Sequence, residues 1–309
     1  MFKLVITIGK GDLILQQYRP HKMHETAFEN AKIKKEDYMS DGRVILDTAT
    51  GEVLKELNDG DYIRTKSQDK HYQKAQYRRN LHNEYGNFVF LVFQYGEKLL
   101  PTIKEANLTR LIYLATYCNY ENELKVGYKS MDKKMMKKIM KLSENVFYGF
   151  VAEITKAKIL IEKDGKLMLN EKVFFKGVVP KNIELNFTRI NIQGVRTLYE
   201  TADSASYHKF LSYAFKLIPY TNKEWNIICF NPEETDKDKI MPCSKKDILD
   251  LIGIKNHGED VFSKMKSYRF HGKNLFSVLI NNETTVFINP KVFYGGSRYK
   301  EVEIVAFGS

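Results

Sequence analysis

Cysteine is scarce in this sequence. Cys118, Cys229 and Cys243 are the whole set, and no two of them stand in a CxxC spacing. An odd, sparse set argues against a disulfide framework or a cysteine zinc site and suits a reducing cytoplasm. Long apolar runs are also missing. None approaches the ~18 residues that a spanning helix requires, so no membrane partner is expected. The opening Met1–Gly9 is short and has no small-residue cleavage site. It reads as a first β-strand and not as a secretion signal.

Catalytic signatures are missing in the same way. A rolling-circle nickase needs two histidines flanking one apolar residue, to hold a metal near a nucleophilic tyrosine. His21 and His24 have the wrong spacing, and no other pair is close. The Arg plus His-x-x-Arg group of a tyrosine recombinase is not found. Gly9-Lys10-Gly11-Asp12 lacks the glycine spacing of a phosphate loop, and His24-Glu25 does not extend to HExxH. The sequence therefore offers no catalytic residue, metal ligand set or cofactor motif, and a non-enzyme is expected. Acidic residues are the last shortage: 38 against 49 basic ones, for a formal net charge of +11. That balance favours a polyanionic partner, nucleic acid before a membrane surface, although a lysine-rich genome gives the same bias.

What is present centres on Lys125–Gly177. Lys133–Met140 is a short basic helix with an apolar stripe at Met135/Met136, Ile139 and Leu142. Leu142-Ser143-Glu144-Asn145 is a turn with Ser143 as N-cap. Val146, Phe147, Phe150, Val151 and Ile154 then mark one face of a second helix. Ile159-Leu160-Ile161 and Leu167-Met168-Leu169 flank Lys163-Asp164-Gly165-Lys166, the Asp-Gly pattern of a tight hairpin. An apolar helix from Asn107 to Tyr120, carrying Leu108, Leu111, Ile112, Leu114, Ala115 and Cys118, precedes these elements. Three helices and a hairpin make a winged helix.

The pattern returns. Tyr207, Phe210, Leu211, Ala214, Phe215 and Ile218 line an apolar helix, and Trp225–Phe230 reads as a strand. Ser244–Ile254 matches Asp132–Leu142 in register. Val261, Phe262, Met265 and Tyr268 face a further helix. Leu275–Ile280 and Thr284–Ile288 flank Asn281-Asn282-Glu283 as a second wing. The copies close alike, on Asn170-Glu171-Lys172-Val173-Phe174-Phe175 and on Asn289-Pro290-Lys291-Val292-Phe293-Tyr294.

The expected fold is α+β: tandem winged helix-turn-helix domains preceded by a small β-containing N-terminal region. Residues 1–100 form that region, with a hairpin at Arg43–Leu46 and Glu52–Leu57 and a basic helix beyond. The first winged helix takes 101–180 and the second 205–300, with a linker at 181–204 and a tail at 301–309. In the linker, Ile183–Phe187 alternates as a short strand, and Gln193-Gly194 and Thr201–Ser204 read as loop.

The chain resembles the winged-helix replication initiators and related DNA-binding proteins of plasmids and phages in low-GC Gram-positive bacteria. The resemblance rests on Leu111–Leu114, Leu142–Tyr148, Asn170–Gly177 and, ahead of them, Asp47–Val53. It implies a cytoplasmic, sequence-specific binder of double-stranded DNA that serves replication initiation at an origin. A phage transcriptional regulator on the same fold and a protein that grips a host factor are the alternatives. Host replication or transcription proteins are expected as further partners, and a homodimer as an oligomeric state.

In such a fold the second helix of the helix-turn-helix enters the major groove. Asn145 suits adenine by a two-point contact, and Ser143 and Tyr148 suit phosphate or base. Lys133, Lys134, Lys137, Lys138 and Lys141, with Lys125 and Lys129 ahead of them, suit phosphate. Such contacts set affinity and position rather than sequence. Lys163 and Lys166 are the wing's cations. In the second copy Lys245, Lys246, Lys255, Lys264, Lys266, Arg269 and Lys273 take the same part. Arg64, Lys66, Lys70, Lys74, Arg78 and Arg79, with Tyr72 and Tyr77 between them, form either a phosphate-tracking arm or a solvated helix face. His257 and His271 read as polar surface or phosphate contacts, not metal ligands. One departure from the family is visible. Where these helices usually carry an early Arg or Lys, this chain has Glu144, Asn145, Tyr148 and Gly149, and Glu259-Asp260 open the second copy's helix.

Overall fold

The computed structural model describes residues 85–92, 102–177, 187–202, 204–270, 272–280 and 284–308. Before these it describes five strands within 13–65 and helical residues at 71–73 and 75–76. The chain divides into two compact units, Met1–Glu84 and Tyr85–Ser309. The first is β-containing. Strand β1 (Leu13–Gln17) pairs antiparallel with β5 (Asp61–Thr65). β2 (Tyr38–Ser40), β3 (Val44–Asp47) and β4 (Val53–Glu56) form a second antiparallel sheet. The β3–β4 hairpin is the one expected from Asp47–Gly51. Arg64 lies in a strand, not on a helix. The strand read at Met1–Gly9 and the residues Arg78 and Arg79 fall outside the described residues.

The second unit opens on β6 (Phe88–Val92), an uninterrupted apolar run buried throughout. Helix α1 (Glu105–Ala115) follows, and its Leu108, Leu111, Ile112 and Leu114 are all buried. A small hairpin, β7 (Lys125–Val126) with β8 (Lys129–Ser130), leads into α2 (Lys133–Met140). Asp132 caps α2, its carboxylate accepting from the Met135 N–H at 2.6 Å. Helix α3 (Glu144–Lys156) follows the turn. β9 (Leu160–Lys163) and β10 (Lys166–Leu169) form the expected hairpin, and β11 (Phe174–Phe175) ends the segment. Asp164 and Gly165 both have positive φ, the conformation a two-residue hairpin turn demands.

A related order follows, with one helix more at its start and a short strand pair after its helices. β12 (Phe187–Asn191), α4 (Ile192–Thr201) and α5 (Ala205–Lys216) precede α6 (Lys245–Leu251) and α7 (Gly258–Ser267). After them come the short pair β13 (Arg269–Phe270) and β14 (Lys273–Asn274), then the hairpin β15 (Phe276–Ile280) and β16 (Thr284–Ile288). β17 (Phe293–Tyr294) and α8 (Tyr299–Phe307) close the chain. The Asn281–Glu283 turn lies outside the described residues.

Hydrogen bonds match between the copies. Asn170 N–H donates to Ile159 and Asn289 N–H to Leu275, each at 2.9 Å. Each of these asparagines also accepts from the lysine two residues on, Lys172 or Lys291, at 3.0 Å. Leu124 N–H donates to Leu167 and Ile228 N–H to Val286. Asn122 and Asn226, both buried and both at positive φ, donate their amides to Phe174 and Phe293 respectively.

One four-stranded antiparallel sheet joins the copies in the order β11-β6-β12-β17. Phe90 faces Arg189 at its centre, Phe175 pairs with Phe90, and Tyr294 pairs with Arg189. Exchanging the copies maps this pairing onto itself, a local pseudo-two-fold. Behind the sheet α1 packs on α5. Thr109 Oγ1 donates to the His208 carbonyl at 2.7 Å, Tyr113 stacks on Tyr199 at 3.8 Å, and Glu105 pairs with both Lys209 and Lys216. One apolar core runs through both copies.

Three local expectations change. Gln193-Gly194 and Thr201, read as loop, lie in α4. Trp225–Phe230, read as a strand, makes only isolated bridges, such as Thr221 with Ile228 and Ile227 with Phe287. Val146, assigned to the inward stripe of α3, is an exposed residue, and Phe147, Phe150 and Ile154 carry the burial.

Candidate nucleic-acid interface

The apolar side of α3 fixes what its other side offers. With Phe147, Phe150 and Ile154 seated in the core, Glu144, Asn145, Val146, Tyr148, Gly149, Ala152 and Lys156 are exposed. Ser143 caps by backbone geometry alone, and its exposed side chain makes no cap bond. The outer face is thus short of charge: Asn145 and Tyr148 are its polar groups near the start, and Gly149 and Ala152 leave it low.

Cations flank this face, and the structure sorts them. Lys134, Lys138, Lys141 and Lys163 are exposed and have no carboxylate partner among the described residues. Lys133 pairs with Glu162 of the hairpin at 3.0 Å and Lys137 with Glu144 at 3.6 Å. Lys125 and Lys166 both approach Glu123, at 3.1 and 3.9 Å. Glu123 is buried, and the Ser130 hydroxyl, helped by Lys125 and Lys166, holds its carboxyl below the usual carboxylate range. These acidic partners are distant in sequence from their lysines, so the local pattern of basic residues could not reveal them. The β7–β8 hairpin carries little local signal. Its turn at Gly127-Tyr128 leaves Tyr128 fully exposed beside Lys129; Gly127, which adopts positive φ, is the residue in the sequence that marks it.

The second copy differs. Glu259 at the start of α7 is held by Lys245, which also lies over the Phe262 ring. Asp260, Ser263, Lys264 and Lys266 occupy the outer face of α7. Lys246, Lys255, Lys264 and Arg269 are exposed with no carboxylate partner among the described residues. Lys273 lies 3.6 Å from Glu303 of α8, which also takes Lys291 at 2.7 Å. His257 is exposed at the N-cap of α7, and His271 is outside the described residues.

Lys141 stands at a position its counterpart fills with glycine. It terminates α2 at φ +51°, and the register of the copies sets Gly253, at φ +82°, opposite it. A left-handed side-chain-bearing residue costs roughly 1 kcal/mol, which glycine avoids. Lys141→Gly should therefore stabilise the protein by about 0.5–1 kcal/mol in urea unfolding, reduced by the freedom glycine adds to the unfolded chain. An unchanged or lower midpoint would mean that the lysine stem has local contacts outweighing its backbone strain.

The remaining chemistry-bearing groups are enclosed. Burial pushes the thiols of Cys118 and Cys243 up to about 12 and that of Cys229 up to about 11, so none is a thiolate near neutral pH. Burial also lowers His208 to about 4, where it stacks on Tyr199. Among the described residues no cluster of three His, Cys, Asp or Glu is placed to hold a metal ion. No helix there is long and apolar enough to cross a membrane. Compared with protein-family models, curated proteins and solved structures, the chain has no match.

Proposed function

We propose that residues 85–309 are two winged helix-turn-helix units fused into one body, and that this body binds double-stranded DNA. The observation that carries the reading is the first copy. A supported helix, α3, turns a low, nearly neutral face outward, and the preceding helix and the hairpin beside it carry lysines that have no carboxylate partner among the described residues. Such a helix fits a major groove, and the flanking cations meet the backbone on either side. In the first copy, ion pairing narrows the phosphate set among the described residues to Lys129, Lys134, Lys138, Lys141 and Lys163. Lys133, Lys137, Lys166 and Lys245 position neighbouring elements instead. Asn145 is the residue assigned to base readout.

Origin binding in the replication of a phage or plasmid is the process we put first, on the resemblance of Leu142–Tyr148 and Asn170–Gly177 to such initiators. A transcriptional regulator would use the same contacts and differ in where its sites lie.

The test is a titration of specific and scrambled duplexes at several salt concentrations. Each phosphate contact adds about −0.9 to the slope of log affinity against log salt. Lys134→Ala with Lys138→Ala should weaken binding to every sequence and flatten that slope by roughly two. Asn145→Ala should keep the slope and cost about 1–3 kcal/mol at one base pair of the preferred site. Wild-type affinity in the double lysine variant would remove this docking mode. Absence of duplex binding at low salt would transfer the reading to a host-protein ligand.

A further inference from the structure

The second copy carries a groove, rimmed by Lys264 and Arg269, that the docking proposed for the first copy does not use. It lies between α5 and the C-terminal half of α7, with a volume of about 580 Å³. Its floor is aromatic: Phe210 stacks against Tyr268 at 5.9 Å, and Tyr207 stands 6.4 Å from Tyr268 with half its surface exposed. Its rim is basic. Lys264 and Arg269 have no carboxylate partner among the described residues, and Lys209 is held by Glu105 of α1. No acidic residue lines it. The groove suits an apolar anchor accompanied by negative charge.

Successive nucleobases fit it poorly. Stacking platforms for a single strand must offer consecutive open ring faces. Here Tyr207 and Tyr268 are inclined by 58°, and only Tyr207 is strongly exposed.

The same chain presents a knob of the complementary kind. Phe230 and Met241 are 55% and 58% exposed, and are tied together by the Phe230 N–H donating to the Met241 carbonyl at 3.0 Å. The loop between them has four acidic side chains, Glu233, Glu234, Asp236 and Asp238, against two lysines. Glu233 pairs with Lys223 and Asp236 with Lys239, so Glu234 and Asp238 are the carboxylates with no cation partner among the described residues. The first copy spans this place with the short β7–β8 hairpin, so the acidic loop belongs to the second copy alone.

We infer that a second copy of this chain occupies the groove, by inserting Phe230 and Met241 between α5 and α7 while its acidic loop meets Lys264 and Arg269. Knob and groove are different surfaces, so the contact is heterologous and joins copies head to tail. It does not depend on the DNA reading.

Sedimentation of the full chain tests this. The wild type should self-associate as concentration rises, less so in high salt, because the rim contacts are ionic. Phe230→Ser should leave the groove intact and abolish the knob. Tyr207→Glu should do the reverse. Each variant alone should be monomeric, and an equimolar mixture should form one-to-one dimers and nothing larger, since one intact knob meets one intact groove. Both residues are exposed, and an unchanged melting temperature verifies that each variant is folded. Should either variant unfold, Asp238→Lys and Lys264→Glu replace the pair, with association restored when both changes are in one chain. A wild type that stays monomeric, a dimer that survives both substitutions, or a mixture that stays monomeric overturns the proposal. So does binding of a labelled single-stranded oligonucleotide that Tyr207→Glu removes while self-association persists.

Discussion

Phe150→Ala will destabilise the second unit by about 3–5 kcal/mol, the usual cost of emptying a buried phenylalanine site. Phe150 is fully buried in the first copy, one turn along α3 from Phe147, which is 1% exposed. The cavity would open in a core that continues through α1 into α5 and the second copy. Loss of packing in one copy should therefore be felt in the other. The lone tryptophan, Trp225, lies in the second copy and reports on it separately. In urea unfolding, the Trp225 fluorescence transition should move to lower denaturant together with the helical signal. A stability change below ~1 kcal/mol would mean that α3 is rotated from its assigned face. A Trp225 midpoint that stays put while the helical signal moves would mean that the copies unfold independently, against the shared core.

How much of this was legible in the sequence depends on how local the governing physics is. The closing motif was readable because it is a self-contained cap. Asn170 and Asn289 each bind the lysine N–H two residues on, and the following Val-Phe enters the sheet. The hairpin at Asp164-Gly165 was readable because two positive φ values in sequence leave few other residue choices. The recurrence of three helices and a hairpin followed from burial periodicity, since Met136 and Ile248, and likewise Met140 and Ile252, fill the same core positions. What stayed hidden was tertiary. The shared sheet requires β6 to find β12 across the whole first copy, and nothing within either strand specifies its partner. The pairing of Lys133 with Glu162 and of Lys245 with Glu259 distinguishes these lysines from Lys134 and Lys138, with which the sequence ranks them equally. Val146 was misplaced because an adjacent pair of apolar residues, Val146-Phe147, does not say which of the two points inward.

Gly194 shows the same limit and yields the other large effect. In sequence, Gln193-Gly194 carries a turn signal; in the structure it lies in the first turns of α4, without a positive φ. The glycine is needed for space. A Cβ there would stand 1.9 Å from the Lys291 carbonyl oxygen, in the segment leading to β17. The Gly194 N–H also donates to Asn191 at 2.7 Å, the bond that caps α4. A backbone oxygen cannot swing aside as a side chain can, so Gly194→Ala must push α4 off the second copy's closing strand. We expect a loss of roughly 3 kcal/mol, the upper part of the range for overpacking a tight site. Gly149 supplies the control. It lies mid-helix on the outer face of α3, and a Cβ there would meet nothing within 4 Å. Gly149→Ala should therefore stabilise the protein by about 0.5–1 kcal/mol, the helix-propensity gain of alanine over glycine. The same chemical change is expected to act with opposite sign at two helical sites. Equal effects in urea unfolding, or a neutral Gly194→Ala, would show that α4 does not sit against Lys291 in solution.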